Sequence, residues 1–378
     1  MSNHFLITTA LKETWDTDKK ILFLGEWCKE NHKKSSWANL NSTTQTYRWN
    51  DRQKLKNDYS YSKKFYNDLI DELTNDLNFY HKTSYSKRYW KIILGPWLLS
   101  FLQAVLERYK NIEQLKSNKD EYETIILQID QNILLPNTFE MYSRLILTDT
   151  WNHFIYSEII KHFKIPNNIT IIKKKFYDKE NFREYLKLKN YSKINKIYSF
   201  FVNLFKKKIE NEKFLISDSY LGVFDEIKLN FKLRCFPKYN NFILPEKKTI
   251  NTKERKEYIL NNFTPKNKFE FFLCELIKIQ IPLSYFENFK EVKEITKNIN
   301  WPSKPKVIFT SHFLQKTIQS FYTAEKVENF NTTLIHGQHG GVYGQYLFST
   351  AQDHELDVCD KFLSWGWKDL ENKKIIPF

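Results

Sequence analysis

The chain has 378 residues and a formal net charge of +15. That length suffices for two domains with sizeable cores, and an apolar content of 41% with 17% aromatics excludes a disordered chain. The longest apolar stretch, Ile92 to Leu106, is broken by Gly95, Pro96 and Gln103 and falls short of a membrane span, and the start Met1-Ser2-Asn3-His4 lacks the basic and apolar regions of a secretory signal.

In chain order, Phe5–Thr9 and Ile21–Gly25 read as strands, as do Lys91–Gly95, Thr124–Leu127, Ile169–Ile172 and Phe214–Ile216. Helical patterns lie between them at Lys63–Tyr80, Trp97–Tyr109 and Phe139–Phe163. Continuous apolar strands alternating with helices predict an α/β domain with a largely parallel sheet. Residues 178–212 read as a long helix rich in Lys and aromatics, and 251–299 as charged helices without a strand. After Trp301-Pro302-Ser303-Lys304-Pro305 comes a βαβ pattern: strand Val307–Ser311, helix Leu314–Glu328, strand Thr332–His336, a Gly-rich loop, and strand Phe362–Trp365. The predicted organisation is an α/β domain over residues 1–240, a helical connector over 241–300, and a second Rossmann-like domain beginning at 301. Only residues 366–378 follow the last strand, whereas a doubly wound domain needs roughly 100 residues. The sequence therefore reads as a piece of a longer protein with its second domain truncated.

Charge is local. Residues 161–213 hold 15 Lys/Arg against 5 Asp/Glu, which suggests an anionic surface as partner. Within them, residues 198–208 join an aromatic cluster (Tyr198, Phe200, Phe201, Phe205) to Lys206-Lys207-Lys208. Such a helix can lie on an anionic membrane surface or pack on the core with its lysines solvated. No nucleic-acid-binding motif is present. The four cysteines are far apart and form no CxxC pair, so they read as free thiols rather than zinc ligands.

Of 8 glycines, four lie in Gly337–Gly344. Glycine concentrated at a strand's carboxyl end signals unusual backbone geometry or close approach, and in open α/β sheets ligands sit beyond those ends. Main-chain N–H groups there can nest phosphate or carboxylate oxygens. The loop is neither a Walker A motif nor GxGxxG with a following acidic residue. His336 and His339 flank Gly337-Gln338, and His354 lies further on between Asp353 and Glu355. An imidazole there can act as general base or contact phosphate; the plainer reading is a turn whose histidine is held by backbone hydrogen bonds. HxxH spacing also suits a metal, but no third ligand is placed. Glu26, after strand 21–25, can face the same kind of cleft or simply start a helix. Ser311 and His312 end strand 307–311 and either line the crevice or cap the next helix. Thr8, Thr9 and Trp15, Gly95-Pro96-Trp97 and Asp130-Gln131-Asn132 read as turns and caps. No Gly-x-Ser-x-Gly elbow supports a serine hydrolase.

Phe5–Leu11 with Glu13-Thr14-Trp15, and Phe23-Leu24-Gly25-Glu26-Trp27-Cys28, resemble the N-terminal signature of the O-antigen-cluster transferases first described in Leptospira. Gly337–Gly344 and Asp360–Trp367 resemble the family's central signature, and Thr310-Ser311-His312 and Ala324-Glu325-Lys326 fit as well. The Gly-rich loop is also similar to that of capsule Kdo transferases and, more loosely, to the His-Gly loop of teichoic-acid glycerophosphotransferases. The resemblance implies a GT-B-like architecture without metal or cofactor, and a glycosyltransferase of surface polysaccharide, either O-antigen or capsule. It implies a nucleotide-sugar donor, a glycan or lipid-linked acceptor, no nucleic acid, and a cytoplasmic location, peripheral to the inner membrane face. Polyol-phosphate transfer on the same scaffold, and a non-catalytic assembly scaffold, are the alternatives. The expected site has His339 and Glu26 as catalytic groups. Gly337, Gln338, Gly340, Gly341, Tyr343, Gly344, Ser311 and His312 would contact substrate.

Overall fold

The computed structural model describes residues 3–117, 120–166, 169–176, 206–236, 244, 250–312 and 316–378. Two five-stranded sheets, all parallel, dominate it. The fold is α/β, as the alternating strand and helix patterns predict.

The first sheet comprises β1 (Asn3–Ile7), β2 (Ile21–Phe23), β3 (Ser42–Thr44), β4 (Glu121–Gln128) and β5 (Ile169–Lys175), in the order β3-β2-β1-β4-β5. The order reverses between β1 and β4, the kind of switch point at which α/β sheets open a crevice. Side chains alternate with the pleat. Leu6 and Ile126 enter the main core, whereas Phe5, Ile7, Ile125 and Leu127 pack on the other face with Trp15, Trp37 and Leu40.

The second sheet comprises β6 (Phe214–Ser217), β7 (Val307–Thr310), β8 (Thr333–Gly337), β9 (Lys361–Ser364) and β10 (Ile375–Pro377), paired in sequence order. Right-handed crossovers between strands in sequential order put their helices on one face. On that face Leu215, Ile308, Leu334, Phe362 and Ile375 are buried, while Phe309, Ile335 and Leu363 on the other are half-buried. Phe214–Ser217, on the first side of the boundary at 240, thus supplies a strand to the second sheet.

Between the sheets runs a helical layer centred on α2 (Lys87–Glu113), flanked by α1 (Arg52–His81), α3 (Phe139–Leu145) and α4 (Asp149–Phe163). The later helices are α5 (Lys206–Glu210), α6 (Val223–Lys232), α7 (Thr252–Tyr258), α8 (Lys268–Gln280), α9 (Phe289–Lys297), α10 (Thr317–Phe330) and α11 (Thr350–Val358). One core runs from Leu6 in the first sheet through α2 to Phe362 in the second. The segment expected to be a charged connector contributes Phe269, Phe272, Leu273 and Phe289 to it.

Lys91–Gly95 is not a strand but part of α2, and the expected turn at Gly95-Pro96-Trp97 lies inside that helix. A short apolar run cannot be told from a buried helix by periodicity, and α2 is buried on nearly every side. The helix is long and apolar enough to cross a membrane, yet 83% of its apolar window is buried in the protein. Gly95 has a packing reason: a Cβ there would stand 2.4 Å from Cε1 of His354. The predicted helix 139–163 divides because Thr148 caps a new one, its hydroxyl accepting from Trp151 N–H. β3, β10 and α11 carried no sequence prediction. The region 178–205, including most of the aromatic and basic cluster at 198–208, lies outside the described residues; Lys206–Glu210 is helical.

Candidate functional site

Because every strand of the second sheet points the same way, the ends of β6, β7, β8 and β9 gather on one edge. After β6, Asp218 and Tyr220 adopt left-handed backbone (φ 49° and 57°), uncommon for side chains of this kind and concentrated at functional sites. Asp218 is held by Lys316 at 2.6 Å, and its carbonyl accepts from Ser311 N–H at 3.1 Å. The turn carries Tyr220 over the histidines: its ring lies 5.4 Å from His339 and 6.2 Å from His312, at interplanar angles of 15° and 12°. His312 and His339 are themselves near-parallel at 6.2 Å.

Beneath His339 sit Tyr343 and Glu355. Tyr343 Oη donates to Glu355 Oε1 at 3.1 Å and lies 3.2 Å from His339 Nδ1. Glu355 Oε1 is 3.9 Å from the same nitrogen. Glu355 is fully buried, and among the described residues its Oε2 has no partner. Burial pushes its carboxyl up to about 8, so it is protonated at neutral pH. Desolvation lowers the His339 and His312 imidazoles below the usual histidine value, leaving neutral rings. A neutral imidazole that is partly open to solvent, with a tyrosine and a carboxyl group behind it, can accept a proton from a substrate hydroxyl.

The loop itself is braced. A Cβ on Gly337 would stand 2.6 Å from Ser311 Oγ, so glycine permits the close approach of β8 and the end of β7. The Gln338 amide donates to the Gly340 carbonyl at 2.7 Å and accepts from Trp365 N–H at 2.9 Å and Trp367 Nε1 at 2.7 Å. It fixes this loop to the one after β9. Among the described residues, Gly341 has nothing within 4 Å of its Cβ direction and Gly340 only Tyr343 at 4.0 Å, so the space beside both α-carbons is open. Gly344 takes φ 72° and rests against Trp367.

His336, His354 and Glu26 stand apart from this group. His336 is fully buried, among the described residues neither ring nitrogen is bonded, and burial drives it down to about 3. His354, equally buried and down to about 3, packs on Gly95 of α2. Glu26 is exposed at the end of β2 and pairs with Lys29 on its own turn at 2.9 Å. Its neighbour Trp27 donates to the Thr8 carbonyl, a structural use of the end of β1. Ser311 is buried; the predicted helix start near residue 313 lies outside the described residues, and α10 runs over Thr317–Phe330.

Glu355, Tyr220 and Asp218 were not singled out from sequence. The signal for Glu355 lay in α11, where His354, Glu355 and Val358 form the buried face. Two titratable residues at core positions of one short helix mark a site where packing logic is overridden. Among the described residues no three His, Cys, Asp or Glu side chains cluster as metal ligands.

The family model described as LIC12162 family transferase matches residues 4–378. No curated protein and no solved structure matches the chain.

Proposed function

Because the chain belongs to the LIC12162 family of transferases, we propose that it is a glycosyltransferase of surface-polysaccharide synthesis, moving a sugar from a nucleotide-activated donor to a hydroxyl of a glycan or lipid-linked acceptor. In this reading the two parallel sheets are the halves of a GT-B-like enzyme and work at the inner face of the cytoplasmic membrane. The observation that carries it is the His339–Tyr343–Glu355 arrangement beside the open space at Gly340 and Gly341.

The acceptor oxygen attacks the anomeric carbon and the bond from that carbon to the donor's phosphate oxygen breaks. The acceptor proton passes to His339, and the nucleotide leaves with the bonding electron pair. Tyr343 orients His339. Glu355 stays neutral through the step, and its Oε1, 3.9 Å from His339 Nδ1, presents a partial negative charge to the imidazolium that forms. The N–H groups of the glycine loop are suited to the donor's phosphates. Gln338 acts by holding that loop to the one after β9.

The test is nucleotide release from a panel of nucleotide sugars by the purified chain with mixed glycan acceptors. Release from one donor that His339→Gln abolishes supports the reading; no release from any donor counts against it.

A further inference from the structure

A cavity of about 920 Å³ opens between the start of α1, α2 and the segment that follows the glycine loop. One wall follows β3, through Trp49 into the first turns of α1. The opposite wall, Gln345–Phe348 and Thr350, directly continues the loop that carries His339. The size is that of a small-ligand site.

Its lining has a specific chemistry. Trp49, Tyr59, Tyr346 and Phe348 present aromatic rings, with Tyr59 and Phe348 packed at 4.6 Å. Tyr346 is exposed at the rim, at 62%. Arg52 and Lys56 stand one turn apart, and among the described residues neither has an ion-pair partner. Cations spaced i,i+4 repel each other, and the start of a helix is where its dipole disfavours positive charge. The Asp51 carboxylate, accepting from Gln53 and Lys54 N–H, already answers the dipole, and an anion in the cavity would relieve the repulsion between Arg52 and Lys56. The one carboxylate in the lining, Asp58, is taken by Arg48 at 2.8 Å and Trp49 Nε1 at 3.0 Å. At the back, Gln103 Nε2 is buried with no partner among the described residues, while its oxygen accepts from Thr350.

We propose that this cavity binds an anionic saccharide, one bearing a carboxylate or a phosphate, as the acceptor side of the transferase. Aromatic faces meet the apolar faces of sugar rings, Gln103 donates to a hydroxyl, and Arg52 and Lys56 take the charge. A nucleotide fits less well, because its ribose diol is ordinarily held by a free carboxylate and this lining offers none. The assignment rests on the transferase reading above and gives its acceptor a chemical class.

Isothermal titration calorimetry of the full chain tests it, with trigalacturonate, glucose 6-phosphate, neutral maltotriose and UDP as probes. The assignment expects one of the two anionic saccharides to bind, maltotriose to bind at least about tenfold more weakly, and R52E/K56E to weaken the anion about tenfold or more. The variant's unfolding curve serves as the folding control. Binding unaffected in R52E/K56E, UDP as the ligand lost in that variant, or no binding by either anionic probe would overturn it. Donor turnover by the unaltered chain is measured alongside. Turnover without saccharide binding rejects the cavity assignment alone, and saccharide binding without turnover rejects the transferase reading alone.

Discussion

His339 Nδ1 and Glu355 Oε1 stand 3.9 Å apart, with the Glu355 side chain closed to solvent. The carboxyl group titrates near 8 in the folded protein, against about 4.3 in an unfolded chain. Its raised value makes its stability contribution complete below the unfolded value and lost as pH rises through 8. Glu355→Gln removes that loss. The variant should gain stability over the unaltered chain between pH 5 and 9, on the order of 4 kcal/mol across that range. Urea unfolding at fixed pH measures this, and an identical pH dependence in the two proteins would place an ionised carboxylate in the fold.

Catalysis should need a neutral His339. Its lowered pKa puts the acid limb of kcat/KM below pH 6.5, the ordinary histidine value. His339→Gln should lower kcat by roughly 10²–10⁴ and abolish that limb. Glu355→Gln should keep the acid limb and lose a second inflection near pH 8. Rates measured from pH 5 to 9 decide both.

The Gly95–His354 approach predicts an unusual substitution. Alanine in a helix interior normally gains about 1 kcal/mol over glycine. Here the added carbon would meet His354 Cε1 at 2.4 Å and the Tyr66 hydroxyl at 2.9 Å. Gly95→Ala should therefore destabilise by about 1–3 kcal/mol, and the loss should shrink when His354 is replaced by Ser. A double-mutant cycle from thermal melts gives the coupling.

Lys316 offers no side-chain cap to α10. Glu140 of α3 supplies it, accepting from Thr317 N–H at 2.8 Å and from the Thr317 hydroxyl at 2.5 Å. Glu140→Ala should cost about 1–3 kcal/mol, read as a lower urea midpoint.

Acid should unfold the protein through buried histidines. Burial lowers His81 and His153 to about 4 and His336 to about 3, and His153 Nε2 accepts from Leu127 N–H. A depressed value gives stability that is present above the unfolded value of 6.5 and lost as pH falls towards the folded one, by up to about 1.4 kcal/mol per pH unit for each histidine. The melting temperature should fall steadily from pH 6.5 to 4.5. A flat profile over that range would contradict neutral burial.

Strand runs such as Phe5–Thr9 and Val307–Ser311 were legible because both faces of a parallel strand are apolar. β3 (Ser42-Thr43-Thr44) was not, being polar and at a sheet edge, and α11 was hidden by its polar composition. The site was half legible. Clustered glycines located the loop, but Glu355 and Tyr220 reach His339 through a helix packing and a left-handed turn that no local pattern encodes. Gln338, expected to contact substrate, makes three hydrogen bonds to protein, a use that depends on the neighbouring loop after β9.

The most direct measurement is mass spectrometry of an anionic oligosaccharide incubated with the chain and each of a panel of nucleotide sugars. The account predicts a product heavier by one sugar residue with one donor, formed by the unaltered chain and lost in His339→Gln. No such product with any donor, or equal yield from His339→Gln, would contradict it.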